Sequence, residues 1–148
     1  MVSSRTRKAS KVLIDSSVLI AAAISERGVA RDLLRLGFRG RFDLYIAPEV
    51  LVETERNLAL KAPEALSSFY IFRDLLAAKL VNPPRALVLE ASGVVAAKDA
   101  PVVAAASHAA VDYVATYDRK HLLSHKDMIR TRFGVVVVTP DEVIGAAR

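Results

Sequence analysis

The sequence contains no cysteine among its 148 residues. Disulfide-stabilised scaffolds, thiolate zinc sites, iron–sulfur clusters and cysteine nucleophiles are therefore excluded, and nothing indicates an oxidising compartment. No apolar run approaches the roughly 18 residues that a membrane-spanning helix needs, and the polar, basic N-terminus is not a signal peptide. We therefore expect a cytoplasmic protein with no membrane segment.

Chain length and net charge constrain the number of domains and the class of partner less strongly. The chain is 53% hydrophobic and 25% charged, and its length suits one domain that buries roughly two thirds of its unfolded surface. We predict a disordered basic lead-in over residues 1–10 and a single domain over residues 11–148. Lys and Arg number 21 against 16 Asp and Glu, so the net charge is +5. This excess is compatible with a polyanionic partner such as nucleic acid but does not identify one.

Short apolar runs alternate with helical spacing along the domain. The apolar runs predict strands at residues 12–14, 42–47, 113–116 and 135–138. Helical spacing predicts helices over residues 17–24, 29–36, 49–61, 63–79 and 101–110, and a capping box at residues 139–142 opens the last helix. Gly37 marks the expected end of the second helix, and residues 86–97 give no clear assignment. The β-α-β-α order predicts a parallel sheet covered on both faces, with ligands at the carboxyl ends of its strands.

Four carboxylates fall at related positions in this predicted topology. Asp15 directly follows the first strand, and Asp118 comes two residues after another strand, so both are expected at one edge of the sheet. Asp99 stands at the start of a helix. Glu53 lies in the helix after the second strand, on or beside a predicted inward-facing stripe. That stripe consists of Val50, Glu53, Asn57 and Leu60.

Each acid also has an ordinary structural explanation. Helix N-caps can account for Asp15, Asp99 and Asp118 one at a time, and Glu53 can pair with a neighbouring base. Four converging carboxylates would instead repel one another unless protons or a cation offset their charge. Hard oxygen ligands in a chain without cysteine favour Mg²⁺ or Mn²⁺ over zinc.

The histidines give a weaker metal signal. His121 and His125 are spaced as one helical turn, but the HExxH signature of zinc proteases is absent. His108 fits a position on a helix face. We therefore do not predict a metal site built on histidine.

Four segments keep the order and spacing of one known family. They are VLIDSSVL at residues 12–19, GRFDLYIAPEVLVE at residues 40–53, KDAPVVAAA at residues 98–106 and DYVATYD at residues 112–118. No segment is specific alone, but together they extend over about a hundred residues. On these segments the chain resembles the PIN-domain nucleases, especially the bacterial VapC-like branch of toxin components from toxin–antitoxin pairs.

The resemblance implies a three-layer α/β/α fold with a mostly parallel central sheet, and a metal-dependent endoribonuclease that acts on RNA. The four family acids, which are catalytic and metal-binding, correspond to Asp15, Glu53, Asp99 and Asp118. Thr116 matches the supporting hydroxyl two residues before the last acid. The family commonly has Thr-Asn after the first acid, whereas this chain has two serines, of which Ser17 keeps a polar side chain there. Carboxylate-held Mg²⁺ or Mn²⁺ can independently activate water for phosphodiester hydrolysis.

Basic residues border the predicted acidic cluster and are candidates for RNA contact. Lys98 precedes Asp99, and Arg119 and Lys120 follow Asp118. Tyr117 is the aromatic candidate for a base contact. A set of arginines at four-residue intervals predicts either a phosphate-binding stripe or a solvated face. The set comprises Arg27, Arg31, Arg35 and Arg39.

Residues 64–80 contain more large apolar side chains than one buried helix face usually has. We predict a core helix there, and any exposed part can form a homo-oligomer or accept the amphipathic helix of an antitoxin, as the family resemblance suggests.

Other classes of protein share some of these sequence features. A PIN-like domain that binds RNA or a partner without cleaving is one alternative, and an RNA-processing nuclease outside a toxin–antitoxin system is another. A phosphotransferase of the haloacid dehalogenase kind needs a second Asp where Ser17 stands. A receiver-type signalling domain needs an acidic pair and a late Lys-Pro that the sequence does not have.

Overall fold

A four-stranded, entirely parallel sheet forms the centre of the fold in a computed structural model that describes residues 8–147. The strands are β1 (Ser10–Ile14), β2 (Phe42–Tyr45), β3 (Tyr113–Ala115) and β4 (Val136–Val138), in the order β2-β1-β3-β4. Leu13 of β1 pairs with Tyr45 of β2 on one side and with Val114 of β3 on the other. The predicted α/β fold with a mostly parallel sheet is confirmed.

Eight helices flank the sheet within the described residues. They are α1 (Ser16–Ile24), α2 (Val29–Phe38), α3 (Pro48–Lys61), α4 (Leu66–Leu76), α5 (Arg85–Ala91), α6 (Ala100–His108), α7 (Lys126–Phe133) and α8 (Pro140–Ala146). The unassigned stretch at residues 86–97 contributes most of α5. The capping box of α8 is confirmed, since the Thr139 backbone N–H and hydroxyl both donate to Glu142 Oε1.

Two sequence predictions of local structure differ from the fold. Gly37 does not end α2, because the helix continues to Phe38. A Cβ at Gly37 would lie 2.2 Å from Leu44 Cδ1, so this glycine allows α2 to pack closely on β2. The chain then turns at Gly40, whose φ is +83°. The helix predicted over residues 63–79 is a core α-helix, α4, with a short 3₁₀ turn at each end.

The predicted lead-in lies mostly outside the described residues. Residues 1–7 are not among them, and Ser10 is the first residue of β1, paired in register with Phe42 of β2. Among the described residues, no helix combines the length and apolar character needed to cross a membrane.

The core lies between the sheet and the helices on both faces. Val12, Leu13 and Ile14 are all fully buried, as expected for a central strand covered on two sides. The carboxyl ends of β1 and β3 meet at one edge, where the Asp15 backbone N–H donates to the Ala115 carbonyl at 3.1 Å. Residues that follow these two strands are therefore neighbours.

Candidate metal centre

Asp15 is held at the carboxyl end of β1 by two hydroxyl groups. Its side chain is 4% exposed. The Asp15 Oδ2 atom accepts hydrogen bonds from Thr116 Oγ1 at 2.7 Å and from Ser17 Oγ at 3.0 Å. Burial raises the pKa of Asp15, and the hydrogen bonds from Thr116 and Ser17 only partly oppose this rise. The result is a buried, oriented carboxylate that a cation would stabilise in its charged form.

The same two hydroxyl groups connect β1 to the loop after β3. Thr116 is fully buried, and its Oγ1 atom accepts the Asp118 backbone N–H at 2.9 Å. Ser17 Oγ accepts the Tyr117 backbone N–H, also at 2.9 Å. Both side chains thus position an acid and the backbone of the neighbouring loop, and their role as supporting residues stays a prediction.

Asp99 directly precedes α6, yet its side chain makes no capping hydrogen bond. It is 7% exposed, and among the described residues its Oδ2 atom is buried without a hydrogen-bond partner. Burial raises the pKa of Asp99, the Asp118 and Asp15 carboxylates add to the rise, and Lys98 and His121 oppose it. The N-cap explanation therefore does not apply to this side chain. A buried carboxylate oxygen without a donor needs a cation or a proton.

Asp118 lies opposite Asp99 and contacts a histidine. Its Oδ1 atom accepts the His121 backbone N–H at 2.9 Å, so this oxygen does cap the turn that follows. Its Oδ2 atom lies 3.3 Å from His121 Nδ1. Ligand atoms of Asp99, Asp118 and His121 all lie within 4.8 Å of one another. Two carboxylates and an imidazole thus surround one point at the carboxyl edge of the sheet.

Glu53 occupies a different position from the one that its spacing predicted. The buried residues of α3 are Val50, Thr54 and Leu58, whereas Glu53 is exposed and Leu60 is 78% exposed. The predicted inward-facing stripe is therefore wrong. Thr54 can face inward because its hydroxyl donates to the Val50 carbonyl at 2.7 Å. Glu53 is still near enough to Asp15 that, with burial as the main cause, its charge contributes to the raised pKa of Asp15.

Comparison with known proteins identifies the family. A sequence model of the PIN domain matches residues 11–120, nearly three quarters of the chain. The chain belongs to the PIN-domain family. PIN domains are nuclease domains, so the resemblance stated from the sequence is confirmed at the level of the family. Comparison with curated proteins gives no significant match.

Solved structures agree with the PIN fold. The chain is similar to PAE2754 from Pyrobaculum aerophilum, with a TM-score of 0.60 and 19% identity over 95% of this chain and 99% of that chain. It is also similar to FitAcB from Neisseria gonorrhoeae, with a TM-score of 0.60 and 18% identity over 87% of this chain and 97% of that chain. At this identity the likeness concerns the fold alone.

The residues of this PIN domain fit a divalent metal ion. The donor set combines two carboxylates with one imidazole, and the buried Asp99 Oδ2 atom has no other partner among the described residues. Asp15 and Glu53 are not members of the group within 4.8 Å. They stand beside it, Asp15 in the sheet edge and Glu53 at the rim, and both add negative charge.

His121 is the functional candidate that the sequence interpretation missed. The other histidine of the candidate pair, His125, contacts Ser124 and does not join the cluster. The informative spacing was Asp118 to His121, because a three-residue separation in a turn places both side chains on one side. That spacing is a local feature of the sequence, whereas the His121–His125 spacing is not realised as a metal pair in the described residues.

The predicted basic residues divide into exposed and structural groups. Lys98, Arg119 and Lys120 are exposed, and Lys98 shares a cavity wall with Glu53. Two residues of the arginine stripe serve packing instead. Arg31 of α2 donates to the Ala22 carbonyl of α1 and lies over the Phe72 ring of α4, whereas Arg35 donates to the Glu26 carbonyl and pairs with Asp32.

Proposed function

We propose that this PIN domain is a metal-dependent endoribonuclease and the toxin of a type II toxin–antitoxin pair. The observation that carries the nuclease proposal is the buried, unpaired Asp99 Oδ2 atom, which faces Asp118 and His121 at the carboxyl edge of a PIN-domain sheet. A solvated protein surface does not require such an arrangement, whereas a site for a divalent cation does.

Asp99, Asp118 and His121 would hold the ion, with Asp15 and Glu53 supplying further charge and coordination. The expected ion is Mg²⁺ or Mn²⁺, because carboxylate oxygens dominate the donor set. When bound, the ion supplies Lewis-acid activation of water and neutralises charge on the phosphodiester. Hydrogen bonds from the Ser17 and Thr116 hydroxyls keep the Asp15 carboxylate oriented.

The remaining polar residues bind and orient the substrate. Lys98, Arg119 and Lys120 are exposed beside the acids and attract the RNA backbone. Glu53 is exposed at the rim, where its carboxylate can accept a proton from an attacking water. No side-chain nucleophile takes part in this scheme.

The toxin assignment adds a cognate antitoxin as partner, a homo-oligomer as the working form and the cytoplasm as the location. Helix α4 buries Phe69, Phe72 and Leu76 but leaves Ile71 60% exposed and Leu75 54% exposed. The exposed pair is the part of the predicted apolar segment that an antitoxin helix or a second copy can cover.

The decisive experiment combines metal dependence with matched acid variants. The full chain is incubated with mixed single-stranded RNAs in Mg²⁺, Mn²⁺ or EDTA, beside Asp15→Asn and Asp99→Asn. Asp74→Asn serves as the control, because Asp74 is an exposed acid on α4. We expect cleavage in metal, no cleavage in EDTA, at least about a hundredfold loss in both site variants, and wild-type activity in the control.

Each contrary result has a defined meaning. Cleavage that persists in EDTA or in Asp99→Asn contradicts the metal–carboxylate mechanism. RNA binding without cleavage in any metal supports the non-cleaving alternative. Induced expression should arrest growth for the wild type but not for Asp99→Asn, and cleavage without arrest supports an RNA-processing nuclease outside a toxin–antitoxin system.

A further inference from the structure

A cavity is lined by Tyr117 and Arg119, the two neighbours in the chain of Asp118 of the metal centre. It measures about 660 Å³ and is formed by the loop after β3, the start of α7 and the turn between β4 and α8. A volume of this order suits a small ligand. The lining residues are Tyr117, Arg119, Leu123, Ser124, Lys126, Thr139, Asp141 and Glu142.

Tyr117 offers an aromatic surface to this cavity. Its backbone is fixed by the hydrogen bond to Ser17 Oγ, and its side chain is 38% exposed. Cations lie over the rings of Tyr45 and Tyr70, whereas among the described residues no cation and no aromatic ring lies over Tyr117. The tyrosine therefore presents a positioned and free ring directly beside Asp118.

Two cations share the cavity with this ring. Arg119 and Lys126 are exposed, and within the part of the chain that the structure describes neither forms an ion pair. Glu142 on the opposite wall is engaged by Thr139 in the capping box. Asp141 remains as a hydrogen-bond acceptor at the same cavity.

These features match the chemistry of a nucleotide better than that of a bare phosphate. A free aromatic face stacks on a nucleobase of any sequence, and unpaired cations bind phosphate oxygens. A carboxylate acceptor can receive a hydrogen bond from an exocyclic amino group of a base. An anion without a base would use the cations but leave the tyrosine without a role.

We propose that this cavity is a nucleotide subsite, in which one base of the RNA stacks on Tyr117 while its phosphate lies between Arg119 and Lys126. The inference rests on the proposed RNA cleavage, and it assigns to Tyr117 the placement of a nucleotide next to the bond that is cut. Tyr117 and Asp118 are consecutive residues, so the proposal has a base on Tyr117 bring the adjoining phosphate toward the metal centre.

The test measures binding of mononucleotides, which contain no phosphodiester for the protein to cleave. The isotopically labelled full chain in Mg²⁺ is titrated with each 5′-mononucleotide and with ribose 5-phosphate, and backbone amide shifts are followed by NMR. We expect shifts at Tyr117, Arg119, Ser124 and Lys126. Tyr117→Leu should weaken binding at least about fivefold, Tyr117→Phe should restore it, and Arg119→Gln should weaken it. Arg132→Gln, an exposed arginine of α7 outside the cavity, should bind as the wild type does.

Two results overturn the subsite. One is equal binding of nucleotides by the wild type and Tyr117→Leu, and the other is ribose 5-phosphate binding as tightly as the nucleotides, which indicates a phosphate site only. Failure of this proposal is distinct from failure of the proposed function. RNA cleavage that is unchanged in Tyr117→Leu refutes the subsite alone, whereas nucleotide binding without RNA cleavage refutes the nuclease alone.

Discussion

Thr116 Oγ1 lies 2.7 Å from Asp15 Oδ2 and 2.9 Å from the Asp118 backbone nitrogen, so one buried hydroxyl group connects two acids of the centre. These acids are separated by about a hundred positions in the chain and meet only because β1 and β3 are adjacent strands. The relationship gives the threonine a role that is both structural and functional.

Removal of that hydroxyl group should cost stability as well as activity. Thr116→Val keeps the shape of the side chain but deprives the buried Asp15 carboxylate of its shortest hydrogen bond. We expect a loss of about 1–3 kcal/mol in the free energy of unfolding, measured by denaturant titration. Thr131→Val is the control, because the exposed Thr131 hydroxyl bonds only to a carbonyl of its own helix, and its change should stay within about 0.5 kcal/mol. Equal effects of the two changes would contradict the assigned role of Thr116.

Without divalent metal, the contribution of Asp15 and Asp99 to stability should fall as pH rises above the ordinary carboxyl pKa. The pKa values of Asp15 and Asp99 are raised above 3.8, by burial in both cases, so over that range the native state binds more protons than the unfolded state. The contribution of these groups to the free energy of unfolding therefore decreases with rising pH and is fully lost above their native pKa values. Urea titrations in EDTA from pH 4 to 7 measure this slope.

Two comparisons test the origin of that slope. Asp99→Asn should make it shallower, because one of the responsible carboxyls is gone, and Asp74→Asn should leave it unchanged. Addition of Mn²⁺ at pH 7 should raise the melting temperature of the wild type but not of Asp99→Asn. Equal stabilisation of both proteins by Mn²⁺ would place the ion elsewhere.

His121 should affect the choice of metal. Nitrogen ligands favour transition-metal ions, whereas Mg²⁺ binds oxygen ligands. We expect His121→Asn to weaken Mn²⁺ binding about tenfold or more and to change Mg²⁺ binding little, as measured by calorimetry. His125→Asn is the matched control, since His125 lies in the same segment outside the cluster. An unchanged Mn²⁺ affinity in His121→Asn would remove this histidine from the donor set.

Substitution of alanine for two helical glycines should affect stability differently, because Gly37 lies where α2 packs closely on β2 and Gly145 of α8 has open space around it. Gly37→Ala places a Cβ 2.2 Å from Leu44 Cδ1, and we expect it to destabilise the fold by about 1–3 kcal/mol. A Cβ at Gly145 of α8 meets nothing within 4 Å, so Gly145→Ala should be neutral or stabilise by up to about 1 kcal/mol. Thermal unfolding of the two variants checks the sign of each change, and a neutral Gly37→Ala would show that Leu44 moves aside without cost.

The sequence by itself determined the order of strands and helices, because periodicity and the capping box at residues 139–142 are local signals. It also determined which acids and hydroxyl groups follow β1 and β3, since parallel strands end at one edge. The match to the PIN domain over residues 11–120 is likewise a property of the sequence.

Only the tertiary structure decided how these groups face one another. Helix α3 buries Thr54 and leaves Glu53 exposed. The apolar spacing did not predict this orientation, because Thr54 is a polar residue whose hydroxyl can be buried by donating to the Val50 carbonyl. Asp99 differs from an ordinary helix N-cap residue because tertiary packing buries its Oδ2 atom. His121 enters the cluster because the turn after Asp118 brings its ring to the Asp118 carboxylate and within 4.8 Å of a ligand atom of Asp99. Burial and orientation depend on long-range packing, which local sequence patterns do not encode.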